Sequence, residues 1–278
     1  MLIDTHLHLI YKDRLDYPWL ADFEVLNRDN RFTTYTRDAA RLGISGCLHM
    51  EVDVAEPLIE AETTLIGELA EQPGSLMRGA ISSCRPESDG FPAFLDRCRL
   101  NPLVKGFRRV LHVVPDAVST TPTFRDNVKR LSGTGLTFDL CVLPRQLDLA
   151  ANLVDHCPDV TFILDHCGVP DIASGAMDPW RDGIHALAKR PNVTAKISGV
   201  VAYGDADSWG LDDIRPYVQE TVAAFGHDRI VWGSDQPVCN LGGGLATWVA
   251  ATHALTADWT TSDRAALYRE NACRIWSL

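Results

Sequence analysis

Two hydrophobic rhythms alternate along the chain. Short apolar runs that suit strands give way to stretches in which apolar residues return every three or four positions, the spacing of an amphipathic helix. In the first run, Met1-Leu2-Ile3-Asp4-Thr5-His6-Leu7-His8, apolar and polar residues trade places. Residues 1–8 are therefore expected to form a strand with His6 and His8 on one face. Further strands are expected at 44–51, 76–81, 103–110, 136–142, 160–166, 193–198 and 229–233. Helices are expected at 36–42, 57–71, 91–99, 124–131, 146–157, 180–189 and 214–225, with a closing helix at 262–276 capped by Ser262. The aromatic, polar stretch 11–31, which holds Tyr17-Pro18-Trp19, reads as a long loop, and such loops in compact proteins are commonly functional.

Eight strands, most followed by a helix, imply parallel pairing through crossover helices, and eight parallel strands close a barrel. The expected class is α/β: a slightly distorted (β/α)8 TIM barrel, one domain over 1–278, with its active site at the strand C-terminal ends. An open doubly wound sheet is the rival. No Gly-x-Gly-x-x-Gly follows a strand, however, and Gly242-Gly243-Gly244 lacks that pattern.

Composition adds constraints. The 46% of apolar residues suffices for a large core, and 23% charged residues argue against disorder. A formal net charge of −11 disfavours a nucleic-acid surface and leaves any anionic ligand dependent on local cations. The eight cysteines include no Cys-x-x-Cys pair, which fits reduced thiols better than a disulfide framework or a zinc ribbon. No basic leader or membrane-length apolar run opens the chain. A cytoplasmic protein without membrane contact, monomer or homodimer, is expected.

In a barrel of this kind the reactive groups sit at the C-terminal ends of the strands. Those ends carry His6 and His8, then Glu51, then Arg108 with His112, then His166, then Lys196 and Ser198, and last Asp235. Paired histidines on one strand are a ready half of a zinc-type site, although two hydrogen-bonded core histidines are the plainer reading of His-x-His alone. What changes the balance is that His6, His8, His166 and Asp235 share one rim.

These stretches make the sequence resemble the amidohydrolase superfamily, in particular its branch of metal-dependent hydrolases with lactonases for sugar aldonolactones and for pyrone dicarboxylate. The matching segments begin with Asp4-Thr5-His6-Leu7-His8, Leu15-Asp16-Tyr17-Pro18-Trp19-Leu20 and Val104-Lys105-Gly106-Phe107-Arg108. They continue through Phe138-Asp139-Leu140, Leu164-Asp165-His166-Cys167-Gly168, Pro191-Asn192-Val193 and Lys196-Ile197-Ser198-Gly199 to Gly233-Ser234-Asp235-Gln236-Pro237 and Glu270-Asn271-Ala272. The resemblance implies a cluster of His6, His8, His166 and Asp235 that can hold a metal, with Asp235 as general base and His166 as its catalytic neighbour. Strand five has no histidine and Lys105 has outward parity, so at most one divalent ion, zinc first, is expected. Branch members are known with and without a metal, which leaves metal-free activity open.

Parity also sorts the remaining candidates. Arg108 and His112 share the inward face, where Gly106 leaves room for a ligand, whereas Arg109 points the other way and suits a salt bridge. Arg108 could bind a carboxylate or polarise a carbonyl, and His112 could meet a sugar hydroxyl. Glu51 shares parity with His49, so only its rim position recommends it for substrate binding. Trp19 could pin the first loop or stack on a sugar ring. Cys167 and the other cysteines read as small buried hydrophobes, and strand seven, with Lys196 and Ser198, needs ordinary packing too. The expected reaction is hydrolysis of a small-molecule lactone by water that Asp235 activates. A neutral sugar aldono-lactone comes first, because a dianion would call for a cluster of arginines. A pyrone or aromatic-pathway lactone and a metal-dependent decarboxylation on the same scaffold are the alternatives.

Overall fold

The structure, a computed structural model, describes residues 1–206 and 208–278. Eight parallel strands follow one another in a single sheet: β1 (Leu2–Leu7), β2 (Ile44–Met50), β3 (Met77–Ser83), β4 (Val104–Val110), β5 (Thr137–Cys141), β6 (Thr161–Leu164), β7 (Val193–Ser198) and β8 (Ile230–Gly233). The ends of the sheet meet. Asp235 N donates to His6 O at 2.8 Å, His8 N to Gln236 O at 2.8 Å, and Thr5 Oγ1 to Trp232 O at 2.8 Å. The sheet closes as a (β/α)8 barrel, with helices between the strands.

The outward faces of the strands build the larger core against the helices. Phe107 packs edge-on to Phe91, Phe138 to Phe124, and Phe162 to Phe138, with ring centroids 6.1–6.3 Å apart. Inside the barrel the floor is apolar: Ile3, Leu48, Met50, Ile81, Ile163 and Val231 cluster with Ala272 and Trp276 from the tail. Trp276 also donates from Nε1 to Thr137 Oγ1 at 3.2 Å, which fixes the plug. His6 lies three residues beyond Ile3 yet also reaches the interior, and the pairing of β1 with β2 is irregular between Asp4 and Leu7.

Several expectations need correction. The first helix is Phe32–Arg41, starting before 36 because Phe32 and Tyr35 are core residues. A helix at Gly244–Leu255 was hidden by the glycines at its start, where Gly243 and Gly244 have φ of +102° and +87°. The tail helix is capped by Thr260, whose side chain accepts from Asp263 N, and not by Ser262. The space at Gly106 is not open to a ligand: a Cβ there would lie 2.2 Å from Thr137 Oγ1. All eight cysteines are free thiols, and among the described residues no helix is long and apolar enough to cross a membrane.

Candidate active site

The rim residues are positioned by the closure of β1 against β8. Asp4, fully buried, accepts from His6 N and Ser234 N through Oδ1 at 3.1 and 2.7 Å, and from the Tyr35 hydroxyl through Oδ2 at 2.7 Å. This clamp delivers Asp235 beside His6 and His8. Asp235 and His166 are held at φ of +58° and +51°, a left-handed backbone that non-glycine residues adopt at a cost of about 1–3 kcal/mol. His166 gets there because β6 ends at Leu164 and the chain turns at Asp165-His166-Cys167, so the sixth strand stops short of 166. Gly199, at φ +57°, must lack a side chain, since a Cβ would sit 2.3 Å from Asp235 Oδ2.

The four residues come together. Asp235 Oδ1 lies 3.7 Å from His6 Nε2 and 3.5 Å from His8 Nε2, and Asp235 Oδ2 lies 3.7 Å from His166 Nδ1. His166 Nδ1 is also 2.8 Å from Ser198 Oγ. Beneath them is a buried ionic layer. Lys196 Nζ donates to Asp139 Oδ2 at 2.7 Å, to Asp165 Oδ1 at 2.9 Å and to His6 Nδ1 at 3.1 Å. Arg108 Nε donates to Glu51 Oε1 at 2.6 Å and Arg108 Nη2 to Glu51 O at 2.8 Å. Each cation thus has carboxylate partners inside the barrel, the condition under which buried charge is tolerated.

Hydrogen-bond direction assigns the histidine protons. His8 Nδ1 faces the Met50 and Glu51 carbonyls at 3.0 Å each. Carbonyls only accept, so His8 carries its proton on Nδ1 and a lone pair on Nε2. The Lys196 ammonium only donates, so His6 Nδ1 accepts from it at 3.1 Å, while His6 Nε2 lies between His8 Nε2 at 3.1 Å and the donor Arg108 Nη1 at 3.4 Å. The neutral state of both rings agrees with their titration. Burial, reinforced by Lys196, holds His6 well below its usual value. Burial and Arg108 bring His8 down to about 3.

Asp235 behaves in the opposite way. Burial pushes its carboxyl up to about 6, with His166 and Arg108 opposing the rise. Its Oδ2 is buried and has no hydrogen-bond partner among the described residues. Burial alone would raise Asp165 as well, but the Lys196 and His6 contacts outweigh it and keep that group well below the ordinary carboxylate range.

A single cation fits this donor set. His6, His8 and Asp235 each offer one ligand atom, all within 4.8 Å of one another, and His6, Asp165 and His166 form a second such group. Metal at the first group would take a lone pair on His6 Nε2. His6 would then carry its proton on Nδ1, 3.4 Å from Asp165 Oδ1.

Above this cluster opens a cavity of about 410 Å³, whose wall includes His8, Arg108, His112, His166, Asp235 and Trp19. Trp19 pins the first loop, its indole N–H donating to Val52 O at 2.8 Å, and its ring lines the cavity. Glu51 is not part of this wall; it stands behind Arg108, fully buried, and also accepts from Asp53 N at 2.8 Å. Lys105 is elsewhere, and Arg109 pairs with Glu87 at 2.8 Å. Sequence reasoning did not single out Asp4, Asp139 and Asp165, and it set Lys196 aside. The available signal was charge at interior positions of otherwise apolar strands.

The chain is similar to known proteins along nearly its whole length. The chain is 29% identical to the L-fucono-1,5-lactonase of Burkholderia multivorans, over 99% of its own length and 96% of that protein's. It is 28% identical to an uncharacterised protein of Sinorhizobium fredii, over 99% and 98% of the two chains. A crystal structure of a Burkholderia multivorans amidohydrolase with bound zinc superposes with a TM-score of 0.90 at 25% identity, covering 100% of this chain and 99% of that one. The amidohydrolase family profile matches residues 3–278, and the chain belongs to that family.

Proposed function

We propose that the protein is a lactonase in which Asp235 deprotonates the attacking water. The observation that carries this reading is the position of Asp235. Its carboxylate lies within 3.7 Å of three imidazoles at the foot of the cavity, and it titrates near 6. A base with that value is ionised at neutral pH and still basic enough to take a proton from water, the compromise expected of a general base. Hydrolysis also needs positive charge near the carbonyl oxygen. Arg108 reaches the cavity from the wall and supplies it. The reading is supported by the family and by the L-fucono-1,5-lactonase relative.

The zinc-bound neighbour and the donor set support one divalent ion, zinc first, on His6, His8 and Asp235, with His166 completing the ring of ligand-type groups. Such an ion, when bound, would acidify water and polarise the ester carbonyl. The residues' own part is to hold the water and to receive its proton at Asp235, while Ser198 holds the His166 ring beside the carboxylate. The substrate is a neutral lactone. Arg108 is the one cation on the described wall, and two of its nitrogens already serve Glu51. A dianion would lack partners there.

The test is a panel of lactones assayed for acid release, with and without chelator treatment, alongside aromatic carboxylates assayed for carbon dioxide. Acid release from at least one lactone above its uncatalysed rate is expected. Release of carbon dioxide without lactone turnover would instead establish the decarboxylase.

A further inference from the structure

The walls of the cavity are hydrocarbon wherever they are not part of the reacting cluster. Trp19 and Phe23 come from the first loop, Val52 follows β2, Val110 ends β4, and Leu143 and Val169 follow β5 and β6. Away from His8, Arg108, His166 and Asp235, the polar side chains on the described wall are Asp53, His112 and Tyr203. Two of these are already engaged: Asp53 pairs with Arg85 at 3.3 Å, and His112 Nδ1 lies 3.5 Å from Cys141 Sγ. A ring bearing several hydroxyls would bury them against valine, leucine and tryptophan with few partners, and unpaired buried hydroxyls are disfavoured.

The mouth points the same way. Phe23 is 50% exposed and Val113 60% exposed, and both line this cavity. Phe23 meets Trp19 edge to face, with ring centroids 5.7 Å apart. Together they form an apolar lip that continues the apolar wall outward.

We propose that the substrate is a lactone whose ring carries an alkyl or aryl substituent in place of hydroxyls, the ester seated at Asp235 and the hydrocarbon running between Trp19, Phe23 and Val113. This inference rests on the lactonase reading and revises its substrate: the sugar aldono-lactone expected from the sequence is replaced by an apolar-faced cyclic ester. Tyr203 is left to orient the ring oxygens.

The experiment compares a series of 5-alkyl δ-lactones of increasing chain length with an aldono-1,5-lactone. Each kcat/KM is divided by that lactone's own hydroxide rate constant, so that intrinsic reactivity cancels. The corrected kcat/KM is expected to rise about fourfold per methylene until the chain passes the lip. The longer alkyl lactones should exceed the aldono-lactone by about 10²-fold. Phe23→Ser should flatten the rise with chain length, chiefly through KM. An aldono-lactone equal to or better than the alkyl series, or a rate indifferent to chain length, would overturn the substrate assignment while the lactonase reading stood. Failure to turn over any lactone would overturn both.

Discussion

Replacing Asp235 by Asn is expected to abolish most lactone turnover and, at the same time, to make the protein more stable at pH 8. Asn matches the carboxylate in size but cannot accept a proton from water, so the loss in kcat should be about 10²–10⁴-fold. The gain in stability follows from titration. Asp235 ionises near 6 in the fold against 3.8 in the free side chain, because burial penalises its charged form. A carboxyl whose folded value is raised favours folding fully while it is protonated, below the unfolded value. That advantage is lost as pH climbs from about 4 through 6, and the ionised group then costs about 3 kcal/mol. Asn imitates the protonated form, so the variant should gain on wild type across that window and keep the gain above it. Urea denaturation of metal-free protein at pH 4.5 and pH 8 would measure it, with a gain of about 1 kcal/mol expected at the lower pH and about 3 kcal/mol at the higher. Equal stability at both would mean that Asp235 is not strained by burial.

The second large effect lies one layer below. Lys196→Met should cost about 3–5 kcal/mol, because it leaves buried Asp139 without its cation and Asp165 with only Arg108, at 3.4 Å. Asp139 and Asp165 hold Lys196 at 2.7 and 2.9 Å, and all three side chains are 0% exposed. The double variant Asp139→Asn with Lys196→Met removes the orphaned charge and should recover part of the loss. The comparison separates uncompensated charge from lost packing, since both variants carry the same methionine. Denaturation midpoints read the effect, and a single variant as stable as wild type would contradict the paired-charge account of the barrel interior. His6 should respond as well, because Lys196 Nζ is the donor that fixes its Nδ1 as an acceptor.

The sequence made the barrel legible for a simple reason. Its strands are short apolar runs and its crossover helices carry apolar stripes, so each local pattern agrees with the global fold. His6, His8 and Asp235 were legible because β1 and β8 must be neighbours once eight strands close. Other features were not, and each failure has a physical cause. Parity arguments hold only inside a strand, and β6 ends before His166, which reaches the pocket through a left-handed turn that alternation does not describe. Glu51 lies just beyond β2, where alternation no longer decides its direction, and it turned out to support Arg108 from behind the wall. Lys196, Asp139 and Asp165 had the right parity for the interior, but their mutual neutralisation spans three strands, and nothing local marks it. The helix at Gly244–Leu255 was masked by glycines that serve its tight entry turn.

The most direct test of the central claim is the pH dependence of kcat/KM for chelator-treated enzyme on its best lactone, from pH 4.5 to 8.5, in wild type and Asp235→Asn. If Asp235 is the base, wild-type kcat/KM rises tenfold per pH unit at the acid end and levels off above an apparent pKa of about 6. The residual activity of the variant should then lack that limb. The same rising limb near 6 in Asp235→Asn, with turnover close to wild type, would show that another group takes the proton.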